Sequence, residues 1–256
     1  MAGRRWSLHA ITINANNVTI DCNDFKIGGL AAGNASLANG IYADNRQNAT
    51  VRHCNVRGLY YGISLEGGAG HLVEDNRLDN NLRVGINVSG ENNRVQRNRV
   101  YDTGGAPDDY RSWGIVGYAD VIENTVAGAF STYASAMVIG IYARGRGYVT
   151  RNRVHGLVAT GSGTGYGIIE ASSGARVADN HVSATAMTPG YGTDGGANTF
   201  CTGNTVVNFS IAYADCTRSL DNLTLPSRRH RRKPYPPISP PAATWRAMPR
   251  ASTSGR

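Results

Sequence analysis

The chain has 256 residues, 41% of them hydrophobic and 17% charged, which suits one β-rich domain with a packed core and excludes a highly charged helical protein. Glycine is abundant (32) and phenylalanine is scarce (4), so small and β-branched side chains must fill a narrow interior. The formal net charge of +8 would favour a nucleic-acid partner, but segment 226–256 holds eight basic residues and no acidic one. The folded body is therefore neutral, and its charge does not favour nucleic acid.

The N-terminal residues 1–10 contain no apolar segment of the kind found in signal peptides, and no stretch of the chain approaches the ~20 apolar residues of a membrane-spanning helix. Strand-like sequence begins at Ile11 without a capping helix in front of it. Because repeat proteins need capped ends, residues 1–10 are predicted to be a lead-in from a truncated cap.

Two short patterns alternate over residues 11–225. One is an apolar residue, two spacers, Asn, one spacer and a second apolar residue, in copies 22 to 31 residues apart; the other is the dipeptide Gly-Ile. The first occurs at Ile20–Asn23–Phe25, Val73–Asn76–Leu78, Val95–Asn98–Val100, Val121–Asn124–Val126, Val149–Asn152–Val154, Val177–Asn180–Val182 and Cys201–Asn204–Val206, with Cys54 in the Asn place of Val51–Cys54–Val56. The second occurs at Gly40, Gly62, Gly85, Gly114, Gly140 and Gly167, and Ile211 is predicted to continue it without a glycine.

A coil of about 22 residues accommodates three short strands and their turns, with any excess in loops. The Asn residues are predicted to occupy a sharp bend, because Asn tolerates left-handed backbone angles better than other non-glycine residues. Their amides are predicted to hydrogen-bond from coil to coil, while the flanking apolar residues stack inside. The repeats thus predict an all-β solenoid of about eight three-strand coils.

The alternating Gly-Ile and V-x-x-N-x-V elements resemble those of right-handed parallel β-helix repeat proteins of the pectate-lyase-like superfamily. The resemblance implies a single-stranded, right-handed parallel β-helix domain over residues 11–225. The superfamily contains polysaccharide lyases, polygalacturonases, uronan epimerases, phage tailspikes and adhesins, so the resemblance does not select an activity.

Side chains alternate along each Gly-Ile strand, and if the isoleucine points inward, the outward positions carry tyrosines, carboxylates and arginines. Such a face suits a sugar polymer, because tyrosine rings stack on sugars and arginines pair with uronate carboxylates. The alternative is a solvated sheet face in which strand propensity favours tyrosine. The candidate substrate-binding residues are Tyr42, Tyr60, Asn87 and Tyr118, and the candidate catalytic residues are Asp44, Glu66, Arg83, Tyr142 and Arg144.

Uronan lyases and epimerases need a base for the proton beside the carboxylate and a cation or donor that neutralises that carboxylate. The candidate catalytic residues could divide these roles. However, the sequence lacks the Gly-His-Gly element of polygalacturonases and the Asp-Pro-His-Glu signature of mannuronan epimerases. No two histidines have metal-ligand spacing, so no metal site is predicted from them, and whether the protein is an enzyme stays open.

Long loops precede three successive Gly-Ile strands, at 101–113, 127–139 and 155–166. One-sided insertions of this kind often build the binding face of a solenoid, so they are predicted to form a wall along one edge of the Gly-Ile strands. The first loop contains Asp102, Asp108 and Asp109, which could hold calcium, although Asp beside Gly and Pro is also ordinary turn chemistry.

The four cysteines allow two disulfides. Cys22 and Cys54 lie near the bend of adjacent coils, and Cys201 and Cys216 could close the last coil. Stacked unpaired thiols are the alternative, and the cysteines permit export without demanding it.

Segment 226–256 carries seven of the nine prolines and no apolar period, and it is predicted to be disordered. It is either a basic arm for nucleic acid or an anionic glycan, or an unstructured extension without such a role.

These observations predict an exported monomer, secreted or periplasmic by fold analogy, that binds an acidic polysaccharide, with lyase or epimerase chemistry open. The alternative is a non-catalytic adhesin or surface scaffold.

Overall fold

The computed structural model describes residues 8–107 and 111–225, which form short parallel strands joined by turns. A 3-10 helix spans Leu30–Ala32. The strands in chain order are β1 (His9–Ile13), β2 (Thr19–Asp21), β3 (Lys26–Gly28), β4 (Asn39–Asp44), β5 (Thr50–Arg52), β6 (Asn55–Arg57), β7 (Tyr61–Glu66), β8 (Leu72–Glu74), β9 (Arg77–Asp79), β10 (Val84–Gln96), β11 (Arg99–Tyr101), β12 (Arg111–Ile122), β13 (Thr125–Ala127), β14 (Met137–Arg144), β15 (Tyr148–Thr150), β16 (Arg153–His155), β17 (Thr164–Glu170), β18 (Arg176–Ala178), β19 (His181–Thr202), β20 (Thr205–Leu220) and β21 (Leu223–Leu225).

Three parallel sheets wrap around a common core. In the first coils each strand pairs with the strand three places further along the chain: β1 with β4, β2 with β5, and β3 with β6. Further along, some strands continue through a bend from one sheet into the next, so that each belongs to more than one sheet. These strands are β10, β12, β19 and β20. The predicted all-β parallel solenoid of about eight turns is therefore confirmed. We call its three faces the Gly-Ile sheet (β1, β4, β7 and their continuations), the second sheet (from β2) and the third sheet (from β3).

The isoleucines of the Gly-Ile pairs stack on one another inside the solenoid, in register from Ile41 to Ile63 and onward to Ile168, each fully buried. The glycine before each isoleucine is required because the next coil and an inward side chain lie too close to leave room for a Cβ atom. A methyl group at Gly140, for example, would collide with Val154 and lie 2.6 Å from the carbonyl oxygen of Gly167. The same coil-to-coil contact recurs at the other glycines of the column, so the glycine is dictated by packing across the corner and between coils.

The prediction for Ile211 is wrong. The column continues through Thr193, which follows Gly192, and then through Tyr213, whereas Ile211 pairs with Tyr191 and is 41% exposed. The glycine persists at this coil but the isoleucine is replaced by threonine, so the dipeptide pattern did not extend to it.

The Asn ladder is confirmed, but its backbone conformation differs from the prediction. From Asn98 onward, each side-chain oxygen of the ladder accepts hydrogen bonds from both the backbone N–H and the side-chain amide of the Asn one coil earlier, at 2.9–3.1 Å. The left-handed residue is the one before each Asn, with φ from 53° to 63°. That residue turns the chain with its own side chain outside, which leaves the Asn free to point its amide inward. The left-handed residues are Asp75, Arg97, Glu123, Arg151, Asp179, Gly203 and Asp221, and the ladder runs through Asn76, Asn98, Asn124, Asn152, Asn180, Asn204 and Asn222.

The prediction that Ile20–Asn23–Phe25 is the first copy of the Asn motif is also wrong. Asn23 is exposed with φ of 46°, Phe25 is 73% exposed, and Ile27 instead pairs with Val56. The bend of this coil is longer, which shifts the inward position beyond Phe25. In the next coil Cys54 takes the Asn place as predicted, and its backbone N–H donates to Asn76 at 2.9 Å.

Both predicted cysteine pairs are disulfides, Cys22–Cys54 between the first two coils and Cys201–Cys216 at the last corner. Strands extend from His9 to Leu225, close to the predicted limits of the β-helix. Residues 1–7 and 226–256 lie outside the described residues, so the predictions for the lead-in and the basic tail stay predictions. None of the helices described is long and apolar enough to cross a membrane.

One carboxyl group lies inside the solenoid. Glu170 is fully buried in an inward column, in register with Ala143 on one side and Gly195 on the other. Its Oε1 accepts a hydrogen bond from the Ser172 backbone N–H at 2.8 Å, while Oε2 finds no partner among the described residues. Burial raises the pKa of Glu170 above its usual value, because the charged form is poorly solvated there.

We expect Glu170 to make the protein less stable as the pH rises. A carboxyl whose pKa is raised in the folded state binds its proton more tightly there than in the unfolded chain, so stability falls as the pH rises from about 4.5 through the folded-state pKa. Glu170→Gln removes this titration. Urea unfolding should show the variant gaining roughly 1–3 kcal/mol relative to wild type between about pH 4 and pH 8; a constant difference over that range would contradict the assignment.

Candidate functional site

The outward face of the Gly-Ile sheet carries a column of side chains whose order follows from the alternation of the strands. Tyr42 lies beside Ser64, which is followed by Asn87, Val116 and Tyr142 on successive coils. Ser64 is nevertheless fully buried beneath its neighbours, since Asn87 donates to its hydroxyl at 3.0 Å and the hydroxyl donates to Glu66 at 2.9 Å.

Arg83 lies at the centre of an aromatic cluster on this face. Its guanidinium carbon is 5.5–5.7 Å from the ring centroids of Tyr60, Tyr61 and Trp113, and its Nη1 donates to the Tyr61 hydroxyl at 2.9 Å. Arg111 adds a second guanidinium, 5.4 Å from the Trp113 ring. Guanidinium groups over aromatic faces are held by cation–π attraction and keep their charge.

Arg144 forms a similar cluster further along the solenoid. It donates to the hydroxyl of Tyr142 at 2.6 Å and to that of Tyr118 at 3.3 Å, and it lies 4.5 Å and 5.6 Å from the two ring centroids. Burial by itself would lower the pKa of Arg144, but the bonds to the two tyrosines outweigh it and the pKa is raised, so the charge persists.

Trp113 connects the two clusters, because its ring centroid is 6.5 Å from that of Tyr142. The result is a continuous strip across the coils of β7, β10, β12 and β14, which we call the aromatic–arginine belt. It consists of Tyr60, Tyr61, Arg83, Arg111, Trp113, Tyr118, Tyr142 and Arg144.

The two candidate acids lie apart from Arg144. Asp44 and Glu66 are neighbours in register, but three coils separate Glu66 from Arg144, a distance of about 14 Å at the ~4.8 Å spacing of strands. Tyr42 lies near the two acids and not near Arg144. Its ring stacks on that of His9, with the centroids 4.0 Å apart. Burial, with the nearby Glu66 and Asp44, raises the pKa of Tyr42. The structure thus brings Arg83, Tyr142 and Arg144 into one belt and leaves Asp44 and Glu66 outside it.

Sequence analysis missed Tyr61, Arg111 and Trp113. Tyr61 and Trp113 each stand directly before the glycine of a Gly-Ile pair, so aromatic residues at that position were the available signal. Their meeting around Arg83 could not be predicted, because it depends on how a long side chain crosses from coil to coil.

Sequence analysis also missed a cleft of about 700 Å³ at the corner between the Gly-Ile sheet and the second sheet, which we call the corner notch. It exists because one corner is short: Val121 lies six positions after Ile115, whereas Val95 lies nine positions after Ile86 in the coil before. The corner loops on either side project past the short one. The notch is lined by Gly90, Glu91, Asn92, Asn93, Arg94, Tyr118, Ala119, Asp120, Gly145, Arg146 and Gly147.

The long loops stack on one another as the predicted wall requires. Gly104, Phe130 and Val158 form coil-to-coil bridges, and the Tyr133 hydroxyl donates to the carbonyl of Pro107. Residues 108–110 lie outside the described part of the chain, so calcium binding by Asp108 and Asp109 stays a prediction. Within residues 8–107 and 111–225, no group of three His, Cys, Asp or Glu side chains is arranged to hold a metal ion.

Comparison with known proteins identifies the family. Among solved structures, the chain matches the A-module of the mannuronan C-5 epimerase AlgE6 from Azotobacter vinelandii, at 12% identity and a TM-score of 0.32, covering 78% of this chain and 72% of that one. No curated protein sequence matches significantly. The family model described as "Right handed beta helix region" matches residues 5–139 and 39–224. The chain therefore belongs to the right-handed β-helix family.

Proposed function

We propose that the aromatic–arginine belt binds an acidic polysaccharide. The observation that carries the proposal is the arrangement of Arg83 and Arg144 among aromatic rings that follow one another over four coils. Rings offer stacking surfaces to sugars, guanidinium groups pair with carboxylates, and a repeating surface suits a repeating polymer.

The electrostatics of Arg144 support an anionic ligand. At the bend that follows the second sheet, arginines pair with acids: Arg97 contacts Glu74 at 2.6 Å and Arg151 contacts Glu123 at 2.8 Å. Among the described residues, by contrast, Arg144 is paired with two phenols and with no carboxylate. A ligand carboxylate would provide the countercharge.

If the protein is catalytic, the chemistry centres on Arg144 and its tyrosines. A carboxylate bound by Arg144 would have its charge neutralised, which acidifies the adjacent C–H. Tyr142, whose oxygen already accepts a hydrogen bond from the guanidinium, would have to act as its phenolate, which takes up that proton and becomes the neutral phenol. Asp44 and Glu66 are too distant to be that base and would instead contact other sugars of the chain. Calcium could assist by binding a second carboxylate.

A disulfide-bonded fold that binds a polysaccharide belongs outside the cytosol. Disulfides persist in oxidising compartments, and both pairs here link parts of the solenoid. We therefore propose a secreted or periplasmic monomer.

The binding test compares Arg144→Gln with Arg99→Gln. Arg99 is an exposed arginine on the third sheet, so it is a control of equal charge. Calorimetry with pectate and alginate oligosaccharides should show Arg144→Gln weakening binding about 10- to 100-fold, the loss of one or two charge-assisted hydrogen bonds, with Arg99→Gln unchanged. Equal effects of the two substitutions, or no binding by wild type, would refute the belt as the site.

Turnover is measured separately. A lyase would release unsaturated uronates detectable by ultraviolet absorbance, and an epimerase would exchange solvent deuterium into the sugar at the epimerised carbon. Both assays are run with and without calcium. Saturable binding without either product would identify the protein as a non-catalytic adhesin or scaffold.

A further inference from the structure

We infer that the corner notch is a subsite for a neutral sugar residue of the same polysaccharide, an inference that rests on the proposed function of the belt. It would make the ligand a heteropolysaccharide in which acidic and neutral sugars occur together, rather than a homopolymer of uronates.

The shape of the notch suits a sugar. Its volume of about 700 Å³ lies within the range of small-molecule sites. The short corner from Tyr118 to Asp120 forms its floor, and the projecting corners around Gly90 and Gly145 form its sides. Tyr118 is 42% exposed, and its ring offers an aromatic platform on which a pyranose can stack.

The charges of the notch favour a neutral ligand. Arg94 and Asp120 form an ion pair at 3.4 Å, and Asp120 also accepts from the Tyr148 backbone N–H at 3.0 Å. Glu91 and Arg146 are exposed on opposite sides and balance each other's charge. Sugar hydroxyls can donate to the carboxylate and accept from the guanidinium, whereas the balanced charges offer a uronate no net electrostatic attraction.

The notch and the belt share Tyr118. Its ring lines the notch, while its hydroxyl accepts the hydrogen bond from Arg144 at 3.3 Å. A carboxylate bound at Arg144 therefore places the next sugar, or a branch on the same sugar, at the entrance to the notch. Positive charge on the belt and balanced charge in the notch then select an acidic residue beside a neutral one.

The experiment compares two sets of oligosaccharides of equal length: galacturonate homopolymers and rhamnogalacturonan backbones, which alternate galacturonate with neutral rhamnose. Wild type should bind the alternating set about tenfold more tightly. The double variant Glu91→Ala/Arg146→Ala should lose that preference while its affinity for the homopolymer is unchanged. Arg144→Gln should weaken both sets, and Arg99→Gln should weaken neither. Thermal unfolding checks that each variant is folded.

The outcomes distinguish failure of the notch as a neutral-sugar subsite from failure of the belt as the site for acidic sugars. No preference in wild type, or a preference that survives in the double variant, overturns the notch as a neutral-sugar subsite. If Arg144→Gln changes neither affinity but the double variant weakens the alternating set, the belt fails as the acidic site and the notch stands as a neutral-sugar site.

Discussion

Gly140→Ala is expected to lower the free energy of unfolding by about 3 kcal/mol or more, at the upper end of overpacking effects. The added methyl group would strike the Val154 side chain and lie 2.6 Å from the Gly167 carbonyl oxygen. The second contact is with backbone of the adjacent coil, which cannot move without disturbing the ladder of hydrogen bonds that joins β14 to β17. Urea unfolding followed by circular dichroism measures the loss.

Gly28→Ala is the matched control, because Gly28 lies in strand β3 and a methyl group there meets no atom within 4 Å. Its stability should equal that of wild type within about 0.5 kcal/mol. If Gly140→Ala is as stable as Gly28→Ala, the close contact between coils does not explain the Gly-Ile pattern.

Asn124→Ala should cost about 3–5 kcal/mol. The buried Asn124 side chain accepts from the backbone N–H of Asn98 at 2.9 Å and donates to the carbonyl oxygen of Val95 at 2.9 Å. Its removal leaves several buried polar groups without partners, at roughly 1–3 kcal/mol each. Solvent cannot replace the lost bonds, because the neighbouring ladder residues Asn98 and Asn152 are also buried.

The corresponding substitution at the end of the ladder should be milder. Asn222 makes the same bonds to Asn204 but is only half-buried, so water can substitute for its amide. We expect Asn222→Ala to cost about 1 kcal/mol. Equal losses at Asn124 and Asn222 would contradict the role given to burial.

The sequence predicts the fold well because the residues that repeat are those that build the coil. The Gly-Ile and Asn columns occupy the positions where neighbouring coils touch, and few residue types fit there. The conformation of the bend was less predictable. The left-handed residues before the ladder include the acids Asp75 and Glu123 and the base Arg97, so no single residue type marks this position, whereas the Asn that follows recurs.

The candidate site was predictable only in part. Alternation along the strands places Tyr42, Asn87 and Tyr142 on one outward face, and the structure shows that order. Alternation does not show which outward side chains meet across coils. Arg83 reaches Tyr61 and Trp113 through its side-chain conformation, and the corner notch arises from a difference in corner length, which a search for repeated residues does not register.

The fluorescence of Trp113 provides the most direct test of the belt as a binding surface. With Trp6→Phe and Trp245→Phe, Trp113 is the remaining tryptophan of the chain. Binding at the belt predicts a saturable change in its emission on titration with acidic oligosaccharides, with a midpoint equal to the calorimetric Kd, and no change with neutral glucans. Calorimetric binding of the acidic ligands with unaltered Trp113 emission would place the ligand elsewhere on the solenoid.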